Sequence, residues 1–215
     1  MGLTTPRVLH PIGPAVPRRG NALSYGLGRL VLRAIGWCLE GAVPNVPRCV
    51  AIVAPHTSNW DFVVGLAALL ALGLRGRFLG KDSLFRPPLG IFLRWMGGLP
   101  VDRATPDGVV EQAVSSLREG EPFVLALAPE GTRKRVERWK TGFYRIALGA
   151  GVPIWPVSLD YRTRTLRLHP ALEPRGDMEA DLAKLQSLYE PAMARYPDHY
   201  GVPSAPANAV TRSPR

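Results

Sequence analysis

The stretch CVAIVAPHTSNWDFVVGLAALLALGL, residues 49 to 74, changes its period halfway along. Residues 49 to 54 are an apolar run of strand length, whereas residues 59 to 74 form an apolar run too long for a strand and suited to a helix. Between them stand Pro55, His56, Thr57 and Ser58, the residue types of a turn. A strand that is apolar on both faces needs cover on both faces, which points to the interior of a parallel sheet.

The pattern repeats outward from this stretch. A strand ending in RFLG (77 to 80) leads to LFRPPLGIFLRWMGG (84 to 98), a helix broken by Pro87 and Pro88 and stopped by Gly97 and Gly98. LPVDR (99 to 103) closes a short strand, PDGVVEQAVSSLREG (106 to 120) reads as a helix, and PFVLALA (122 to 128) as a second strand buried on both faces. TGFYRIALGAG (141 to 151) is helical, VPIWPVSLDY and TRTLRLHP are strands, and DMEADLAKLQSLYEPAMARY (177 to 196) is an amphipathic last helix. The alternation predicts one α/β domain over residues 41 to 196, with a mostly parallel central sheet and helices on both faces. Functional groups in such sheets gather in loops beyond the carboxyl ends of the strands, where His56 falls.

The flanks read differently. Residues 1 to 21 carry four prolines and no hydrophobic period, and residues 197 to 215 look similar, so both are expected to be flexible arms. Residues 22 to 40 are apolar apart from Arg29, Arg33 and Glu40, with the two arginines four apart on one helical face. Two readings fit this segment: a helix lying in a membrane interface with its arginines reaching the headgroups, or a helix packed on the domain. No window reaches the roughly 18 to 20 apolar residues of a spanning helix, and the N-terminus does not resemble a cleavable signal peptide. The expected address is therefore cytoplasmic, on the inner side of the cell membrane as a peripheral or monotopic protein.

The chain has 215 residues and a net charge of +10, which suggests an anionic partner. Lysine is scarce, at positions 81, 134, 140 and 184, so nearly all of the basic excess is arginine. Cys38 and Cys49 lack the spacing of a metal or redox site and read as small core residues. No G-x-S-x-G nucleophile elbow occurs, and GRFLGK (76 to 81), followed by Asp82, fails as a phosphate-binding loop. Nucleic acid is not expected: only Trp139 and Phe143 interleave with the basic stretch, and helical burial explains them equally well.

Within one continuous helix, His56 and Asp61 would point about 140° apart. If the helix instead begins after Ser58, Asp61 lies in its first turn, Ser58 and Asp61 form a capping box, and the two side chains can meet across the helix start. A carboxylate on one imidazole nitrogen fixes the tautomer and leaves the other nitrogen as a general base. Spacing alone favours a plain helix cap in which His56 bonds only to backbone. A second constellation follows the strand at 122 to 128. Residues 129 to 145 hold Arg133, Lys134, Arg135, Arg138, Lys140 and Arg145 against Glu130 and Glu137, with Gly131 permitting a tight turn and Arg133 offering a planar fork that suits phosphate.

Taken together these residues resemble the lysophospholipid acyltransferase family, of the 1-acyl-sn-glycerol-3-phosphate acyltransferase type. HTSNWD (56 to 61) is similar to its His-x4-Asp block; GKDSLFRPPLGIFLRWMGGLPVDR, with Lys81 and Arg103, to its second; EGTR (130 to 133) to its third; and VPIWPV (152 to 157) to its fourth. Pro55 stands where the family often has Asn. The resemblance implies a glycerolipid acyltransferase-like fold. It also implies transfer of a fatty acyl group from an acyl-CoA or acyl carrier protein thioester to the hydroxyl of a lysophospholipid, in phospholipid biosynthesis. His56 and Asp61 would be catalytic, and Arg133, Lys81 and Arg103 would hold the acceptor phosphate. Glu130, Gly131 and Thr132 would shape the substrate loop, with no metal and no cofactor beyond the thioester. Another lipid acceptor, or a non-catalytic protein binding anionic membranes, are the alternatives.

Overall fold

The computed structural model describes residues 11 to 101 and 106 to 201. The opening stretch folds as read: Cys49–Ala54 is a strand, which follows helix α1 (Ala22–Ala34) and strand β1 (Cys38–Gly41) and is therefore β2, and Asn59–Leu72 is helix α2. Then come β3 (Gly76–Lys81), α3 (Leu89–Trp95), β4 (Gly98–Val101), α4 (Pro106–Glu119), β5 (Val124–Leu127), α5 (Gly142–Ala150), β6 (Ile154–Asp160), β7 (Thr165–Leu168) and α6 (Met178–Gln186). The seven strands form one sheet in the order β1-β7-β6-β2-β5-β3-β4. Every pairing is parallel except that of β6 with β7.

β2 lies between β6 and β5, with Ala51 level with Trp155 on one side and Ala126 on the other. Its alternate residues feed two cores. Cys49 and Ala51 pack with Val64, Ala67, Ala68 and Ala71 of α2 and Leu32 of α1, while Val50, Ile52 and Ala54 pack with Leu117 of α4, Phe143, Tyr144 and Ile146 of α5 and Leu185 of α6. This is the double burial that the unbroken apolar run requires. α2 ends at Gly73, whose left-handed conformation (φ 62°) lets its N–H close the last turn. The helix is joined by α1 at close range: a Cβ on Gly28 would lie 2.4 Å from the Ala71 nitrogen, so only glycine lets the two backbones approach this far. Both cysteines are free, and burial pushes the Cys49 thiol up to about 12, in keeping with a core role.

Five boundaries differ from the sequence expectations. The helix expected over 22 to 40 stops at Ala34, because Gly36 takes φ +73° and the chain then enters β1 on the edge of β7. The domain thus begins before residue 41, with Trp37 buried against Tyr161 at 4.8 Å between ring centroids. Residues 11 to 21 are docked rather than flexible: Val16 is buried, Arg18 bridges Leu74, and Arg19 N–H donates to Gly73 O at 2.9 Å. A proline-rich segment has no hydrophobic period, yet its extended backbone can still pair with the exit of a helix. The last helix ends at Gln186 and gives way to a 3-10 turn led by Pro191. At the other flank Tyr200 is buried, and a Cβ on Gly201 would meet Val136 O at 1.9 Å, so residues 197 to 201 belong to the packed domain. Residues 1 to 10 and 202 to 215 lie outside the described residues.

Candidate active site

The site lies beyond the carboxyl ends of β2, β5 and β6, and its centre is the turn into α2. Ser58 caps the helix: its hydroxyl accepts the Trp60 N–H at 3.2 Å, and Asp61 reaches back to the Ser58 N–H at 2.7 Å. The same Asp61 oxygen, Oδ2, accepts the Thr57 N–H at 2.8 Å and lies 3.1 Å from His56 Nδ1. Its other oxygen, Oδ1, accepts the hydroxyl of Tyr161 at 2.6 Å. The Asp61 side chain is 1% exposed and that of His56 25%. A buried carboxylate with four donors is fully satisfied, and it fixes the imidazole with Nδ1 inward, leaving Nε2 on the opposite side of the ring as the basic nitrogen. Sequence spacing could not choose between a cap and a dyad; the structure contains both in one carboxylate.

The loop after β5 meets this turn from the side. Glu130, 3% exposed, accepts the His56 backbone N–H with both carboxylate oxygens, at 2.9 and 3.0 Å. Burial pushes the Glu130 carboxyl up to about 7, partly opposed by the His56 N–H and imidazole and further aided by the Asp61 charge. Gly131 follows with φ +65°, and its N–H donates to Ala128 O at 3.0 Å, turning the chain at once. Thr132 Oγ1 accepts the Lys134 N–H at 3.3 Å. Arg133 is exposed and donates to the side-chain oxygen of Asn59, the first residue of α2. The Asn59 N–H, at that exposed helix start, has no acceptor among the described residues.

Of the residues singled out by sequence, the structure therefore brings together His56, Asp61, Glu130, Gly131, Thr132 and Arg133. Lys81 is the last residue of β3, level with Val101 of β4, so its backbone stands on the same edge of the sheet. Arg103 lies outside the described residues. Among the described residues no three His, Cys, Asp or Glu side chains gather as a metal-ligand set.

Sequence reasoning missed two residues. Tyr161 directly follows the carboxyl end of β6, a position that the sheet rule could have flagged. Burial, together with the Asp61 carboxylate, pushes its phenol well above the usual range, so it remains a neutral donor. Arg195 comes from the segment after the last helix, with its guanidinium carbon 5.5 Å from the Trp60 ring centroid, and no local pattern announces it.

Comparison with known proteins agrees with this geometry. A family model described as Acyltransferase matches residues 42–160. A chloroplastic 1-acyl-sn-glycerol-3-phosphate acyltransferase of Brassica napus is 30% identical over 111 residues, covering 48% of this chain and 32% of that protein. The 1-acyl-sn-glycerol-3-phosphate acyltransferase of Escherichia coli is 29% identical over 124 residues, covering 54% of this chain and 49% of that protein. The alignments thus span half or less of these relatives' length. The crystal structure of the 1-acyl-sn-glycerophosphate acyltransferase PlsC from Thermotoga maritima superposes with a TM-score of 0.55 at 23% identity, over 77% of this chain and 75% of that one, and shares its fold. With a match that spans more than half of its residues, and with the His-Asp and Glu-Gly-Thr-Arg blocks meeting at one edge of its sheet, the chain belongs to the Acyltransferase family.

Proposed function

We propose that this protein transfers a fatty acyl group from a thioester of coenzyme A or acyl carrier protein to the free hydroxyl of a lysophospholipid, 1-acylglycerol-3-phosphate being the favoured acceptor, in phospholipid biosynthesis. The observation that carries this reading is the 3.1 Å contact of His56 Nδ1 with the buried Asp61 carboxylate. His56 Nε2 takes the proton of the acceptor hydroxyl as its oxygen attacks the thioester carbonyl. The tetrahedral adduct collapses with cleavage of the C–S bond, and the imidazolium returns the proton to the departing thiolate. Each step balances without an acyl-enzyme. No cofactor is needed, because the thioester brings its own activation. The unpaired Asn59 N–H is the donor best placed to meet the oxyanion. Arg133 and Lys81, with Arg103, are assigned to the acceptor phosphate, as fixed forks and point charges for an anion.

The same reading sets the protein on a membrane. No helix among the described residues is long and apolar enough to cross one. Yet Leu23, Leu27 and Leu30 of α1, Phe62 of α2, and Ile91 and Trp95 of α3 are all exposed apolar side chains. Exposed apolar side chains of this size, on a protein that takes lipid substrates, support peripheral attachment, with Arg29 and Arg33 toward anionic headgroups. The cytoplasmic leaflet is the side on which the thioester donors are available. In α1, Gly28 and Leu32 pack on the domain while Leu23, Leu27 and Leu30 face out.

The test is release of free thiol from acyl-CoA that depends on added 1-acylglycerol-3-phosphate. His56→Ala should abolish it while the far-ultraviolet circular dichroism is unchanged; turnover retained in that variant would overturn the assignment. Binding to anionic vesicles with no thiol release would favour the non-catalytic alternative.

A further inference from the structure

Arg195 stands beside the catalytic turn by virtue of two backbone anchors. Tyr161 N–H donates to Met193 O at 2.8 Å, and Tyr196 N–H donates to Thr57 Oγ1 at 3.3 Å. The first anchor belongs to the residue whose hydroxyl holds Asp61 Oδ1, and the second to the residue whose N–H holds Asp61 Oδ2. The short span 193 to 196 is thus tied to both sides of the Asp61 carboxylate, and Arg195 projects from its middle.

The guanidinium carbon lies 5.5 Å from the ring centroid of Trp60, 6.0 Å from Tyr161 and 5.7 Å from Tyr196. Aromatic faces hold a cation in place without cancelling its charge. Among the described residues no carboxylate forms an ion pair with Arg195, and its side chain is exposed. Arg133 is held similarly by a neutral partner, the Asn59 amide. Asn59 and Trp60 are consecutive residues of the first turn of α2, so two guanidinium groups with neutral supports flank the turn that carries His56. An exposed guanidinium fork that is held by rings and not neutralised by a carboxylate keeps its donors available for an anion with several acceptor oxygens.

We propose that Arg195 is a binding residue of this active site, one that grips a phosphate group of a substrate. The inference rests on the acyltransferase reading, under which both substrates carry phosphate: the acceptor on its glycerol, the donor on its coenzyme A or carrier-protein arm. Charge recognition is the shared chemistry, and the experiment separates the two sources.

Steady-state rates are measured for Arg195→Ala and Arg195→Lys with 1-acylglycerol-3-phosphate or neutral 1-monoacylglycerol as acceptor, and with acyl-CoA or a phosphate-free acyl-pantetheine as donor. Arg195→Ala should raise the KM of one phosphate-bearing substrate about tenfold to a hundredfold, the scale of one charged hydrogen-bonding group, with kcat little changed. Arg195→Lys should restore part of it. If the effect disappears with monoacylglycerol, the phosphate is the acceptor's; if it disappears with acyl-pantetheine, the phosphate is the donor's. A fall in kcat with both KM values unchanged would overturn the inference, because Arg195 would then act only by supporting Tyr161. Calorimetric titration with glycerol 3-phosphate and with coenzyme A supplies a readout independent of turnover. Equal affinities in wild type and Arg195→Ala, or no binding by the wild type, overturn the inference, whereas weaker binding by the variant sustains it. Wild-type protein that binds phosphate ligands through Arg195 yet turns over no acceptor would sink the acyltransferase reading and leave the binding role intact.

Discussion

Two loops leave the carboxyl ends of neighbouring parallel strands, and each carries a buried carboxylate to the same histidine. The loop after β2 brings Asp61, which receives four donors: two backbone N–H groups, the His56 ring and the Tyr161 hydroxyl. The loop after β5 brings Glu130, which among the described residues receives a single N–H, that of His56 itself. Equal burial with unequal solvation makes different tools. Asp61, satisfied by its four donors, is built to orient the imidazole, while Glu130 holds the backbone of the same residue with a carboxyl raised to about 7. Two acids that look alike in sequence thus divide the histidine between them, one taking the ring and the other the main chain.

The sharpest way to break this division is Asp61→Asn. The amide keeps the shape, but its NH2 faces donors where a carboxylate oxygen accepted, and it no longer selects the imidazole tautomer. Thiol release should fall on the order of ten-thousandfold, measured against unchanged secondary structure in circular dichroism. A variant within tenfold of wild type would mean that Asp61 is only a cap.

Glu130→Gln probes the other member through stability. The folded carboxyl holds its proton up to about 7, whereas an unfolded one releases it near 4.5. Between these values the native carboxyl binds more protons, so the contribution of Glu130 to stability falls as pH rises from 4.5 to 7 and stays constant above. The loss is on the order of 3 kcal/mol. Denaturant unfolding across this range should show wild-type stability falling relative to that of Glu130→Gln as pH rises; parallel pH profiles would contradict the assignment.

Tyr161→Phe removes one of the four donors of Asp61 and leaves the ring edge-to-face with Trp37. One hydrogen bond to a charged group is worth about 1.5 to 3 kcal/mol, so kcat should drop about tenfold or more, with the KM of either substrate unchanged. Ser58→Ala has the smallest effect, since it removes only the hydroxyl that accepts from Trp60. A lost cap costs about 1 kcal/mol, or roughly 2 to 4 °C in Tm for a chain of this size, and a thermal melt will detect it.

How much of this was legible in the sequence depends on range. The strand, turn and helix of residues 49 to 74 could be read because period and capping are local properties, and Ser58 with Asp61 lie within one turn of each other. Gly131 and Arg133 could be read because a tight turn after a buried strand is also local. Tyr161 reaches Asp61 across 100 residues, and Tyr196 reaches Thr57 across 139. Only the strand order, which sets β6 beside β2, brings them in, and periodicity does not encode strand order. Residues 11 to 21 misled for a related reason, since an extended segment that pairs through its backbone leaves no trace in the side-chain pattern.

The capping box of α2 has a further consequence. The Thr57 and Ser58 N–H groups donate to the same Asp61 oxygen that steadies His56, so fraying of the first helical turn and loss of the base are one event. Hydrogen exchange at these two amides, followed in the resting protein without any substrate, should therefore count the fraction of molecules ready to react.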